Sequence, residues 1–340
     1  MRFRPTTPAP ACSTCAGKAL KLETRLPCNP REAPVACFTI MSTGFARTAA
    51  ILVAFLLGAL IPQAHAAADA IRWLIMGMLF LVFLGTSWTH LSLHRSHVYL
   101  LIINFLMAFA GLGLGWVIGG RDVALAGFFA GIAPTAAAAP VVISFMRRDV
   151  TYVTAAFIAS NLGIALALPV ILPAVLGAGD NTLYGRVAGS VGLLIFAPLT
   201  VALILRRVHP RAANWPSRLR DVSYGAWIVV LFLVTANASH FLRTQADTPR
   251  LVLAEIAAVS LIVCVANFLL GRCIGGRSYG PEASQSLGQK NTSFTLYLAL
   301  AYASPLVALG PTCYILWHNL WNSWQLHRVN HAQSTPIAPR

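Results

Sequence analysis

Charge is what this chain has least of. Asp and Glu together number 10 in 340 residues, and residues of either sign make up 10%. A soluble domain carries about 25% charged residues, so water is excluded as the solvent for most of this surface. Lysine is nearly missing: after Lys21 the only one is Lys290. With so few acids, the apolar stretches hold no paired carboxylates, and they also hold no metal-spaced histidines or serine–histidine arrangement, so the chain does not read as an enzyme and implies no cofactor or metal. The net charge of +15 has no aromatic-plus-basic cluster with it, which argues against nucleic acid as a partner. Nothing alternates like a barrel strand, and open sheet edges cannot exist in lipid, so the class is an all-α membrane protein with the lipid bilayer as its first partner.

What is present is apolar sequence, 57% of the chain. Segments of spanning length recur at 48–65, 71–88, 98–118, 123–146, 150–176, 187–205, 222–242, 251–271, 286–307 and 309–326, which predicts about ten transmembrane helices joined by short loops. Residues 1–45 differ in kind. They hold six prolines and four of the seven cysteines: Cys12, Cys15, Cys28 and Cys37. The Cys12–Cys15 spacing is ligand-like, but the second pair is too far apart and no histidine lies near, so a zinc site is not expected. This stretch reads as a tail without fold of its own, or as sequence ahead of a true start at Met41. Arg47, the apolar run after it and Ala64-His65-Ala66 also fit a secretory signal, yet the long apolar stretch favours an uncleaved first span. Residues 46–328 are then the transmembrane domain and 329–340 a C-terminal tail.

Arginine placement sets sidedness. With the N-terminus inside, one set of loops carries Arg95, then Arg147 and Arg148, then Arg206, Arg207, Arg211, Arg218 and Arg220, then Arg272 and Arg277, and the tail adds Arg328 and Arg340. The opposite loops carry only Arg72, Arg121, Arg186, Arg243 and Arg250. Both termini are expected in the cytoplasm, with the protein in a bacterial inner membrane. Ten spans divide into two fives, and an odd number inverts the second half relative to the first. The fourth span holds Pro134-Thr-Ala-Ala-Ala-Ala-Pro140, and the ninth holds Gly288-Gln-Lys-Asn-Thr-Ser293. Interrupted segments at corresponding positions point to a transporter's midplane site. Proline removes a backbone donor and clashes with the preceding turn, so the helix is expected to unwind between Pro134 and Pro140. Lys290 lies in the second interruption. An ammonium at bilayer depth costs about 2.5–3.5 kcal/mol on insertion scales, so a lone one marks a functional site.

Residues 48–328 resemble the bile acid:sodium symporter family. Gly288-x-x-Asn291-Thr292 is similar to the family's G-x-Q-N segment of the ninth helix, and Trp317-His318-Asn319 with Asn322-Ser323 resembles its tenth helix. The resemblance implies a core domain of spans 3–5 and 8–10, in which two broken helices cross, and a panel domain of spans 1, 2, 6 and 7. Relative motion of the two would alternate access. The departures fall on the sodium sites. Ala139-Pro140 stands where sodium-coupled relatives carry Ser-Asn, Val153 and Phe157 stand where the next helix supplies hydroxyls, and Ser286 and Lys290 replace a Glu and a Gln. Sodium needs several oxygen ligands, as other hard cations do, and Lys290 would repel it. Lys290 is therefore expected to stand in for the bound cation, attracting an anionic group or carrying a proton. Gln289, Asn291, Thr292 and Thr135 are expected to hydrogen-bond the substrate, with Ser160 and Asn161 nearby by analogy. His318 and Asn319 could reach the broken ninth helix. Glu282 is read as a cap or gate, Glu255 as the partner of Arg250, and Asp149 as part of a solvated cluster with Arg147 and Arg148. The function so implied is secondary transport of a small or amphipathic organic anion, with sodium or a proton as coupling ion. The alternatives are a symporter that ligates sodium through backbone carbonyls, and a membrane-embedded binding protein without flux. Oligomeric state is not legible.

Overall fold

The structure, a computed structural model, describes residues 49–86, 93–177, 181–244 and 250–334. The N-terminal tail with Cys12 to Cys37, the start of the first span, the side chain of Arg250 and the last residues of the C-terminal tail lie outside them. Among the described residues there is no strand, only one isolated bridge pair. Helix α1 covers Ala49–Leu60, followed by a 3-10 turn at Pro62–Ala67 and by α2, Ala70–Gly85. Then come α3 (Arg95–Ile132), α4 (Ala138–Phe145), α5 (Val150–Leu176), α6 (Thr182–Val208) and α7 (Arg220–Thr244). The last three are α8 (Arg250–Gly288), α9 (Thr292–Tyr302) and α10 (Leu309–Ser334). Helices α3, α5, α6, α7 and α8 are long and apolar enough to cross a membrane. Their outer faces carry exposed Ile102, Leu106, Leu166, Val170, Val201 and Ile204. Apolar side chains inside and outside together are the pattern of a helix solvated by lipid, and the chain is an integral membrane protein.

Neither α3 nor α8 is a straight rod. Each is a hairpin of two arms with a tight turn made by glycine. In α3 the turn is Gly119–Gly120, where Gly120 takes φ 76°, a conformation that side chains resist. The arms pack through small residues: a Cβ at Gly111 would strike the main chain of Gly127, one at Gly115 that of Val123 and Ala124, and one at Gly131 that of Ala108. These pairs run in opposite directions about the turn, so the arms are antiparallel and nearly in backbone contact. In α8 the turn is Gly276 to Tyr279, with Gly276 at φ 57°. Gly271 lies against Ala283 and Ser284, Gly288 lies on the Phe268 ring, and the Ser284 hydroxyl donates to the Phe268 carbonyl at 2.7 Å.

Several expected boundaries move. The first helix stops at Leu60 because Pro62 opens a 3-10 turn, not at residue 65. The fourth segment is interrupted at 133–137 rather than over 134–140: Pro140 is the third residue of α4, where its missing N–H is one no helix uses. In the ninth segment the helix continues through Gly288, and the interruption is confined to 289–291. The α6 run is long because a π turn at Gly192–Phe196 carries the helix through.

Candidate functional site

The two interruptions meet. Thr135 and Lys290 form the bridge pair, antiparallel, with Ala136 N–H donating to the Gln289 carbonyl at 2.8 Å and Asn291 N–H donating to the Pro134 carbonyl at 2.7 Å. A broken helix leaves carbonyls and N–H groups that lipid cannot satisfy, so each break uses the other as its hydrogen-bond partner. Side chains take the rest. The Thr135 hydroxyl donates to the Ser286 carbonyl at 2.5 Å, and Tyr314 from α10 donates to the Gly288 carbonyl at 2.8 Å. Thr135 N–H donates to Ser160 Oγ at 3.1 Å, the Ser160 hydroxyl donates to Thr135 Oγ1 at 2.9 Å, and Asn161 Nδ2 donates to the Thr135 carbonyl at 3.0 Å.

Lys290 closes this network. Its side chain is 1% exposed, and its ammonium donates to the Ala133 carbonyl at 3.1 Å and to Asn104 Oδ1 on the first arm of α3. Asn104 in turn donates from Nδ2 to the Ile132 carbonyl at 3.4 Å. Ile132 is the last residue of the second arm of α3, so the ammonium sits at a helix C-terminus, where backbone carbonyls converge and the helix dipole favours positive charge. The chemistry is that of a cation held by oxygens, with no carboxylate among its hydrogen-bond partners in the described residues.

The remaining expected residues divide. Gln289 is buried and its Oε1 has no partner. Ser286 turns its hydroxyl to the Glu282 carbonyl at 2.8 Å and offers the crossing its own carbonyl. Asn291 is the half-buried residue ahead of α9, where its side chain makes no cap, and buried Thr292 opens the helix. Asn319 does not reach the break: its amide donates to Ile315 of its own helix at 2.7 Å. His318 is buried, its Nδ1 has no partner among the described residues, and its ring stands edge-on to Tyr314, which itself bonds the crossing. Val153 and Phe157 are buried apolar residues, and the Phe157 carbonyl accepts from Ser160 and Asn161. Glu282 Oε1 accepts from Asp149 N–H at 3.2 Å, which ties it to the start of α5. Asp149 caps that helix, accepting from Thr151 and Tyr152 N–H. The Glu255 carboxylate lies against the Gly119 turn.

Asn104, Tyr314 and His97 were not anticipated. A lone asparagine inside the apolar stretch 98–118 was the available signal for the first. A small cavity adjoins the crossing, lined by His97, Leu100, Asn104, Thr135, Ala156, Ser160 and Ser286 among others, with a volume of about 10 Å³, room for one water molecule.

A scan of family models finds no match for this chain, and a search of characterised proteins finds none.

Proposed function

We propose that the protein is a secondary transporter of a small or amphipathic organic anion, built as ten spans in two inverted five-helix repeats, in which Lys290 occupies the place of a coupling cation. One observation carries this reading: the ammonium lies between the two helix breaks, on the Ala133 carbonyl and Asn104 Oδ1, an oxygen set suited to a cation. The similarity of the two halves supports the repeat. A 38-residue hairpin, a break, an eight-residue helix and a 27-residue helix are followed, after α6 and α7, by a 39-residue hairpin, a break, an 11-residue helix and a 26-residue helix. The core-and-panel arrangement implied by the likeness to bile acid:sodium symporters is part of the same proposal, as are a bacterial inner membrane and cytoplasmic termini.

The N-termini of α4 and α9 start at the crossing without side-chain caps, so their N–H groups and positive dipole ends are the natural place for the substrate's anionic group. Lys290 itself does not line the cavity, and two of its donors are engaged. Its role is to neutralise the carbonyl side of the crossing, with the anion taken by the N–H side. Sodium bound through freed carbonyls is disfavoured, because those of Ala133, Pro134, Ser286, Gly288 and Gln289 already accept hydrogen bonds.

The test has two stages. A thermal-shift screen of organic anions in sodium and in choline, at two pH values, identifies a ligand because a binder stabilises in proportion to occupancy. Uptake of that ligand into proteoliposomes is then expected without a sodium gradient and is expected to be lost in Lys290→Gln. Sodium-dependent uptake, or full activity in Lys290→Gln, overturns the reading. Binding without uptake would support the flux-free alternative.

A further inference from the structure

Three helices descend side by side to the crossing. Along α3 and the residue that caps it the order is His94, His97, Asn104; on α5 it is Tyr152, Ala156, Ser160; along the second arm of α8 and into the break after it the order is Tyr279, Glu282, Ser286, Lys290. The cavity occupies the inner level, between His97 and Thr135. The outer level is aromatic. Tyr152 and Tyr279 stack with centroids 4.5 Å apart and planes at 12°, the His97 ring lies 4.2 Å from Tyr152, and His94 lies 4.9 Å from Tyr279. The Tyr152 hydroxyl shares a hydrogen bond of 2.7 Å with Ser96. Beyond this layer is the end of the molecule that bears exposed Arg95, Arg147, Arg148 and Arg277.

Two observations mark the cavity as a place for a polar visitor. His97 is 4% exposed and accepts from His94 N–H through Nδ1, while its Nε2 makes no hydrogen bond of standard geometry among the described residues, the Tyr152 backbone lying close by. A buried polar atom without a partner is rare, and a cavity of this size with hydroxyls of Thr135 and Ser160 nearby suits one water or one ligand oxygen. The lid above it stands on the weakest backbone of α8. Tyr279 is outside helical geometry at φ −128°, ψ 24°, three residues after Gly276 in the left-handed region and two before Pro281. A local departure from helical φ/ψ at Gly276 and Tyr279 is the backbone feature a hinge uses.

We propose that this cavity is the closed inner end of the ligand's access path from the arginine-bearing face, that Tyr279 swings about the Gly276 turn to open it, and that His97 Nε2 is the first buried polar contact an anionic oxygen meets there. The proposal rests on the transport reading. Its test needs no flux, so the two fail separately.

Ala156 lines the cavity and is 4% exposed, so Ala156→Cys places a thiol inside the path, while exposed Cys273 serves as an internal reference. The full chain is sealed in vesicles and treated from one face with the anionic reagent 2-sulfonatoethyl methanethiosulfonate or its neutral methyl analogue, and labelling is read peptide by peptide by mass spectrometry. The introduced thiol is expected to react slowly while the lid is intact. Adding Tyr279→Ala should speed it about tenfold, from the arginine-bearing face alone, whereas Tyr279→Phe keeps the ring stack and stays slow. No acceleration in Tyr279→Ala, or reaction from the opposite face, overturns the path. In the opened chain His97→Leu should lower the ratio of anionic to neutral labelling about threefold, and His97→Gln, which keeps a donor, should preserve it. An unchanged ratio in His97→Leu overturns the His97 assignment.

Discussion

The segments α3–α4–α5 and α8–α9–α10 share a backbone plan and divide the chemistry unequally. The first break, 133–137, is Ala-Pro-Thr-Ala-Ala and offers mainly carbonyls and N–H groups. Its groups are satisfied from outside: Ser160 and Asn161 from α5, Asn104 from the first arm of α3, and Lys290 from the other half. The second break, 289–291, is Gln-Lys-Asn and brings the one charged side chain within either break. Its own carbonyl side is closed by Thr135 and Tyr314. One half supplies the oxygens and the other the ammonium, so the crossing is internally compensated across the two halves.

The sharpest way to break this comparison is at the hairpins both halves depend on. Gly127→Val would drive a side chain into the Gly111 main chain, and Gly271→Val would do the same at Ala283. Each is expected to destabilise by about 3 kcal/mol or more, read as a collapse of the thermal transition in detergent. A normal transition in either would show that the arms are not in contact. Next is Lys290→Met, which leaves the Ala133 carbonyl and Asn104 Oδ1 without a donor. A loss of about 2 kcal/mol is expected. Asn104→Leu in the same chain should recover part of it, since the two residues form one network and a double-mutant cycle would show coupling. Purely additive losses would dissolve the pair.

Smaller effects sharpen the picture. Tyr314→Phe removes the donor to the Gly288 carbonyl and Thr135→Val removes the donor to the Ser286 carbonyl, and each should lower stability by about 1 kcal/mol. A loss confined to one of them would show that the breaks are not mutually supported. Asn319→Ala should shift stability by less than about 0.5 kcal/mol, because its amide is spent within its own helix. A large loss there would place Asn319 at the crossing after all.

The all-helical class, the positions of the apolar segments and the two interruptions were legible, because hydropathy over a spanning length and proline or charge within it are local signals. Thr135 and Lys290 were legible as polar residues within the breaks, Ser160 and Asn161 only through the family resemblance, and the structure brings the four together. Pro140 was misassigned to the unwound stretch because its effect depends on register: two residues earlier or later in a helix, the same ring is harmless or disruptive. The bond of Asn319 was not legible, because spacing along a helix does not tell whether an amide turns outward or back to the carbonyl four residues earlier. His97 and Tyr279 carried no signal, since aromatic residues near loop ends are ordinary in membrane helices.

Composition and pattern alone determined that this chain lives in lipid, as helices, with a single lysine set into an interruption. Those properties follow from the cost of bare polar groups in hydrocarbon, which every residue meets independently of its distant neighbours. Tertiary structure decided what the lysine touches. Only when α3 and α8 fold back on themselves does a side chain at 290 reach a carbonyl at 133 and an amide at 104, and contacts across such separations are set by packing, to which local sequence is blind.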